Sequence, residues 1–260
     1  MRSAYSSTGV AVFLIVGIMA GPSYARIDPE TIIGMWLFDE DEGNIAVDSS
    51  GNGRDKTIMG NPNWVEGKFG KAMEFDGVDD FIDCGPDESL KPQQFTVVAW
   101  FNTRKLDDWG HVFQSGRDWD DMGGIYLRVH KEGYLQAGVA QGPGNDVSKV
   151  EGPALKTDVW YHSALTFDGT NIILYLDGEN IGSNTGQQVF YDAKSSVIGR
   201  KVEVNRFFDG LIDEVALFSV AITQDDVRAI MNEGLKAAIS PIAVSSTGKL
   251  VTIWAGVKKQ

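Results

Sequence analysis

Apolar residues recur at every second position along much of the chain. In the run 95–101, Phe95, Val97, Ala99 and Phe101 alternate with Thr96, Val98 and Trp100. Apolar side chains on both faces predict a central strand covered on each side. Further strands are predicted over 33–38, 72–75, 81–84, 124–130, 134–139, 159–167, 171–176, 196–199 and 207–218. Turn chemistry separates them: Asp76-Gly77-Val78-Asp79-Asp80, Lys131-Glu132-Gly133, Asp168-Gly169-Thr170 and Asp177-Gly178 all supply residues that tolerate tight reversals. Short strands broken by turn signals every ~8–12 residues mark an all-β, two-sheet antiparallel sandwich.

The helical period surfaces once, in a short C-terminal helix. Thr223 is placed to cap it, Asp226 three residues on completes a capping-box pattern, and Val227, Ile230 and Met231 share one face. Gly234 is placed to end it. No longer repeat interrupts the strands, which excludes solenoids and propellers. One sandwich domain is therefore expected over 30–235, followed by a tail over 236–260 that is rich in small residues and ends in the apolar stretch 250–257. That stretch is too short to cross a bilayer. It either docks on the sandwich or serves as a sorting tail.

The opening 1–25 reads as an address. Arg2 precedes the apolar run 10–20, and Ser23-Tyr24-Ala25 gives the small-x-small end of a signal-peptidase site. A secretory signal peptide is expected, an uncleaved anchor being the alternative. The mature protein is then extracellular or periplasmic, with no membrane insertion after cleavage. Charge narrows the partners: 36 acidic against 23 basic residues leave a net −13, a field that repels DNA, RNA and acidic membrane surfaces. The single cysteine, Cys84, permits no internal disulfide and reads as an apolar filler at a strand end. An exported chain without disulfides needs another source of rigidity, and a bound metal is one.

Several blocks resemble a known family when taken together. These are Met35-Trp36-Leu37-Phe38-Asp39-Glu40, Asp48-Ser49-Ser50-Gly51-Asn52-Gly53, Gly67-Lys68-Phe69-Gly70-Lys71-Ala72 running into the Phe75–Phe81 hairpin, 160–168, 174–178, and finally 208–218 (FDGLIDEVALF). In this order they resemble the laminin-G-like jelly-roll domains of the concanavalin A-like lectin/glucanase superfamily, over the span from Ile33 to Gly234. The resemblance implies two packed sheets with a concave face and rim loops. It also implies binding of carbohydrate or glycoconjugates, adhesion, or service as an accessory module of secreted enzymes, often with calcium.

Calcium takes six to eight hard oxygens. The 48–53 turn offers the Asp48 carboxylate, the Asn52 amide oxygen and glycines that can turn carbonyls inward. Similar domains place the N-terminal segment beside the last long strand, so a cation joining Asp48, Asn52 and Asp213 is the expected structural metal. The alternative is that Asp48 and Asn52 make Asx turns and Asp213 accepts backbone N–H bonds. Asp76, Asp79 and Asp80 form a rival cluster.

No catalytic residues nominate themselves. The superfamily's glucanases carry Glu-x-Asp-x-x-Glu; the nearest match, Glu74-Phe75-Asp76-Gly77-Val78-Asp79, ends in Asp and breaks at Gly77. His111, His130 and His162 lack metal-binding spacing. Sugar recognition needs a flat aromatic for the C–H face of the ring and planar polar groups for its hydroxyls. The segment 106–124 reads as a loop that holds Trp109, Arg117 and Trp119, and the turn 141–147 holds Asn145 and Asp146. These five are the candidate ligand-binding residues. Trp109 and Trp119 alternatively cap the ends of the core. The basic spot 200–206 either meets an anionic sugar or is a solvated loop. The expected function is a secreted, non-catalytic module that binds carbohydrate or a glycosylated surface. A divergent polysaccharide-degrading enzyme and a protein-binding surface module remain the alternatives.

Overall fold

The computed structural model describes residues 27–116, 124–142, 147–192, 195–202 and 205–239. The signal-peptide reading of 1–25, most of the tail, and Arg117, Trp119, Asn145 and Asp146 lie outside them.

Two antiparallel sheets of eight strands each stack face to face. The first runs β14 (Glu179–Thr185), β13 (Asn171–Leu176), β12 (Trp160–Phe167), β7 (Phe95–Thr103), β16 (Asp209–Phe218), β5 (Lys71–Asp76), β4 (Asn63–Glu66), with β1 (Ile32–Trp36) also paired to β16. The second runs β11 (Val147–Ala154), β10 (Tyr134–Ala140), β9 (Ile125–Val129), β8 (Gly110–Ser115), β15 (Ser196–Ile198), β6 (Phe81–Gly85), β3 (Lys56–Met59), β2 (Ile45–Ala46). The central-strand reading of 95–101 holds in detail. Phe95, Val97, Ala99 and Phe101 enter the core between the sheets, against Phe113, Leu127, Leu135 and Val139. Burying each such large side chain contributes about 1.5–3 kcal/mol.

The opposite face of β7 needs its own cover, because Val98 points away from that core. Val98, Ala164, Tyr175, Ala216 and Phe218 form a second apolar cluster on the outside of the first sheet. It is closed by α1 (Gln224–Glu233) through Val227 and Ile230, and by α2 (Leu235–Ile239) through Leu235 and Ile239. The α1 cap is the reciprocal capping box expected of Thr223 and Asp226, and Gly234 ends the helix at φ +80°. The second helix was not foreseen; its five residues show too little periodicity to announce it.

The strands absent from the sequence reading are β2, β3, β4, β8, β11 and β14. Four of these, β2, β4, β11 and β14, are the outermost strands of the two sheets. Edge strands face water along one side and are kept polar, so they lack an apolar alternation. β8 corrects a specific expectation: the supposed loop over 106–124 contains a strand at Gly110–Ser115 whose His111 and Gln114 are buried.

The last long strand is bent at one residue. Its register to β7 shifts between Asp213 and Ala216, and Glu214 there has φ +52°. This bulge lets both Ile212 and Val215 enter the inter-sheet core while Asp213 and Glu214 turn outward. Asp213 Oδ2 accepts from the backbone N–H groups of Lys68 (2.8 Å) and Phe69 (3.0 Å). Gly67 permits that approach, since a Cβ there would stand 2.6 Å from the same oxygen. Glu214 accepts from the N–H of Leu235, fastening α2.

These buried acids make stability depend on pH. Burial holds the Asp213 carboxyl up at about 8, with the Phe69 and Lys68 N–H bonds working against the rise and the charge of Glu214 adding to it. Burial likewise lifts Glu214 to about 7. His162, enclosed on β12, is pushed down to about 3 by burial. A carboxyl raised on folding contributes fully below its unfolded pKa and loses that contribution as pH climbs through the folded value. The imidazole behaves oppositely, its contribution being lost as pH falls below about 6.5. Between pH 8.5 and 6.5, therefore, the two carboxyls set the slope. Calorimetry is expected to show a higher Tm at pH 6.5 than at pH 8.5, with Asp213→Asn flattening the difference. Each carboxyl contributes up to about 1.4 kcal/mol per pH unit across its window. A Tm that falls from pH 8.5 to 6.5 contradicts this assignment.

Candidate functional site

On β9, Ile125, Leu127 and Val129 fill the core, so Tyr126 and Arg128 stand on the outer face of the second sheet. The same alternation puts Tyr134 and Gln136 of β10 on that face, with Leu135 and Ala137 inside. A polar row crosses four adjacent strands there. Lys149 Nζ pairs with Glu151 Oε1 at 2.8 Å, and Gln136 Nε2 donates to the same oxygen at 3.0 Å. Arg128 Nε and Nη2 donate to Gln136 Oε1 at 2.9 and 2.6 Å, and Nη1 lies 3.3 Å from His111 Nε2.

Aromatic rings hold this row in place. The Arg128 guanidinium is 4.2 Å from the ring centroids of both Trp109 and Tyr126. His130 meets Trp109 edge-on at 4.2 Å and stacks on Tyr134 at 4.3 Å. Gly138, opposite Tyr126 on β10, leaves room for the phenol: a Cβ there would be 2.7 Å from its hydroxyl. Arg128 and Gln136 are buried, whereas Trp109 and Tyr134 are half-buried and Glu151 and Lys149 exposed. The face thus offers aromatic edges and charged groups to solvent above a fixed hydrogen-bonded floor. Glu151 is held below the ordinary carboxylate range, first by Lys149. His130 is lowered mainly by burial, so its imidazole favours the neutral form.

Of the five ligand-binding candidates, Trp109 sits at the heart of this cluster; the other four lie outside the described residues. Tyr126, Arg128, Tyr134, Gln136 and Glu151 were missed. The signal for most of them was present: once the odd positions of 125–129 are assigned inward, Tyr126 and Arg128 must face out. His111 and His130, dismissed for their sequence spacing, are drawn to one face by strand pairing.

The expected metal ligands meet different partners. Asp48 Oδ1 accepts from Met35 N–H and Ser50 N–H, both at 3.0 Å, and Oδ2 from Arg54 N–H at 2.9 Å. Burial alone would raise this carboxyl, but these bonds and the Ser50 side chain outweigh it and hold it low. Asn52 Nδ2 donates to the carbonyls of Ile32 (2.8 Å) and Ile33 (3.3 Å). Both residues thus fasten the 48–54 turn to β1. β1 does lie against β16, as the resemblance implies, yet Asp213 is engaged by the 67–70 turn instead.

The rival cluster is tighter. One carboxylate oxygen from each of Asp76, Asp79 and Asp80 lies within 4.8 Å of the others. Asp80 is buried and accepts from Asn61 N–H (2.8 Å) and Asp76 N–H (3.1 Å). Its carboxyl is raised, first by burial, with those bonds opposing and the charges of Asp76 and Asp79 adding. Three hard oxygen donors that repel one another are a donor set suited to a hard divalent cation. Cys84 is buried, its thiol pushed up to about 12 by burial, as a packing residue would be.

Comparison with known proteins bears on the whole arrangement. The domain 4 structure of an extracellular GH43 arabinanase from Geobacillus stearothermophilus, in complex with arabinotriose, superposes with a TM-score of 0.64 at 22% identity. The match covers 77% of this chain and 98% of that one. The binding domain of Paraclostridial Mosquitocidal Protein 1 gives 0.63 at 14% identity, over 78% of this chain and 52% of that one. The binding domain of botulinum neurotoxin DC, in complex with rat synaptotagmin II, gives 0.64 at 12%, over 78% and 52%. The chain spans about half the length of these toxin domains. No curated protein matches it. A family model described as concanavalin A-like lectin/glucanases matches residues 76–228, more than half of the chain. With that share of its length matched, the chain belongs to the concanavalin A-like lectin/glucanase superfamily.

Proposed function

We propose that this protein is a secreted, non-catalytic module that binds carbohydrate or a glycosylated surface on the outer face of its second sheet. The observation that carries the reading is the Arg128 guanidinium, clamped between Trp109 and Tyr126 and bonded to Gln136, in a row that runs on to Glu151 and Lys149. Rigid rings beside planar hydrogen-bonding groups are what a saccharide needs: a surface for its C–H face and fixed partners for its hydroxyls. The arabinotriose complex of the similar arabinanase domain supports the same reading. Export is supported by the signal-like composition of 1–25.

A calcium ion at Asp76, Asp79 and Asp80 completes the proposal. It would neutralise the mutual repulsion of the three acids and stiffen the hairpin between β5 and β6. No other role is assigned to it.

Arabinotriose and a panel of plant and microbial oligosaccharides, titrated calorimetrically, are expected to yield at least one binder. Trp109→Ala is expected to weaken it by about 2 kcal/mol, the scale of a central aromatic contact. Unchanged affinity in that variant removes this face from consideration, and release of reducing ends from the same panel would point to a hydrolase or lyase instead. Chelation with EDTA is expected to lower the Tm, because a ligand bound only by the native state stabilises it by about 2.7 kcal/mol at ~100 times its Kd. Asp79→Asn should abolish the EDTA effect. Identical melting curves with and without chelator discard the metal.

A further inference from the structure

A second concavity lies on the opposite side of the sandwich, outside the first sheet. It is an open cleft of about 340 Å³ lined by Lys68, Trp100, Trp160, Asp177, Met231 and Asn232. Five separate segments build it. Lys68 comes from the turn before β5, Trp100 from β7, Trp160 from β12, Asp177 from the turn after β13, and Met231 and Asn232 from the last turn of α1. Trp100 forms a buried floor, with the Lys68 ammonium 4.3 Å above its ring; among the described contacts, that ammonium has no ion-pair partner. Asp177 is fixed by accepting the His162 N–H at 2.9 Å.

The wall behind the cleft is unusually polar for a buried region. Strand register sets Asp213, Trp100 and His162 side by side across β16, β7 and β12, and the Trp100 and His162 rings lie 5.2 Å apart. Asp213 Oδ1, Trp100 Nε1 and both ring nitrogens of His162 are buried and have no hydrogen-bond partner among the described residues. Buried polar atoms are satisfied in nine cases of ten or more, and an unsatisfied one costs about 1–3 kcal/mol. These residues stand in one row across the sheet, and Trp100 among them also lines the cleft.

We infer that this cleft is a second saccharide site, taking a single polyhydroxylated ring such as a terminal pentose or hexose residue. The half-buried indole of Trp160 supplies the surface for the C–H face, while the buried Trp100 ring forms the floor under Lys68. Asp177 accepts from vicinal hydroxyls, Asn232 both donates and accepts, and Lys68 donates from above. The chemistry disfavours the other occupants of such a volume: one ammonium facing a carboxylate is poor for phosphate, and charged walls are poor for an apolar ligand. The two sites, on opposite faces of the sandwich, make the module bivalent, so that it gains avidity on a multivalent glycan surface.

The test uses the full chain carrying Trp109→Ala, which disables the other face. Methyl arabinofuranoside, methyl glucopyranoside and methyl galactopyranoside are titrated while the indole N–H resonances of Trp100 and Trp160 are followed by NMR. At least one glycoside is expected to shift both resonances saturably, and Asn232→Ala, an exposed position, to weaken that binding about tenfold. Asp177→Asn, which keeps an acceptor for the His162 N–H, should do the same. Absence of a saturable shift with all three glycosides, or shifts unaffected by Asn232→Ala, overturns the inference. In the otherwise unmodified protein the Trp109 resonance reports the first site independently, so failure here leaves that reading intact.

Discussion

β16 has to satisfy two demands that a regular strand cannot meet together. It must deliver Ile212 and Val215 to the core between the sheets, and it must hold two carboxylates outward to fasten the turn over 67–70 and the C-terminal helix. A strict period of two sends residues 212 and 215 to opposite faces. The left-handed residue at Glu214 resolves the conflict by inserting one extra position, at a backbone cost of about 1–3 kcal/mol. The cost is offset because the same kink releases the Asp213 and Glu214 side chains towards waiting backbone donors. The cover of the first sheet, and with it the walls of the cleft beside α1, depends on that single irregular residue.

The sandwich divides its chemistry between its two outer faces. On the second sheet, cation, amide and carboxylate are linked in a closed chain from His111 to Lys149, and aromatic rings lock the chain from above and below. On the first sheet Asp213 Oδ1, Trp100 Nε1 and the ring nitrogens of His162 have no hydrogen-bond partner among the described residues, beside an open concavity. The first arrangement is rigid because its bonds are made.

Much of the architecture could be read from residue order alone, and the omissions have a common cause. Interior strands announce themselves because water is excluded from both of their edges and at least one face, which forces runs such as Phe95–Phe101. β4 and β14 border water and carry Asn63, Glu66, Glu179 and Asn184, so no apolar rhythm survives in them. The candidate site was visible by the same logic only once strands were assigned: Tyr126, Arg128 and Gln136 are the polar half of alternations whose apolar half had been recognised. The segments richest in Trp, Asp and Gly contribute Trp109 alone to the described cluster. The resemblance sets Asp48 and Asp213 on neighbouring segments, but residue order does not say which backbone N–H groups lie nearest each carboxylate.

Two outermost strands, β11 and β14, belong to different sheets yet meet along one side of the sandwich. Ser148 Oγ donates to the Thr185 carbonyl at 2.6 Å, and Asn184 Nδ2 to the Lys149 carbonyl at 3.1 Å. Side chains thereby occupy main-chain acceptors that would otherwise template a foreign strand. A seam stitched in this way resists runaway growth into fibrils, which matters for any domain meant to be crowded onto a surface in many copies while each remains a separate unit.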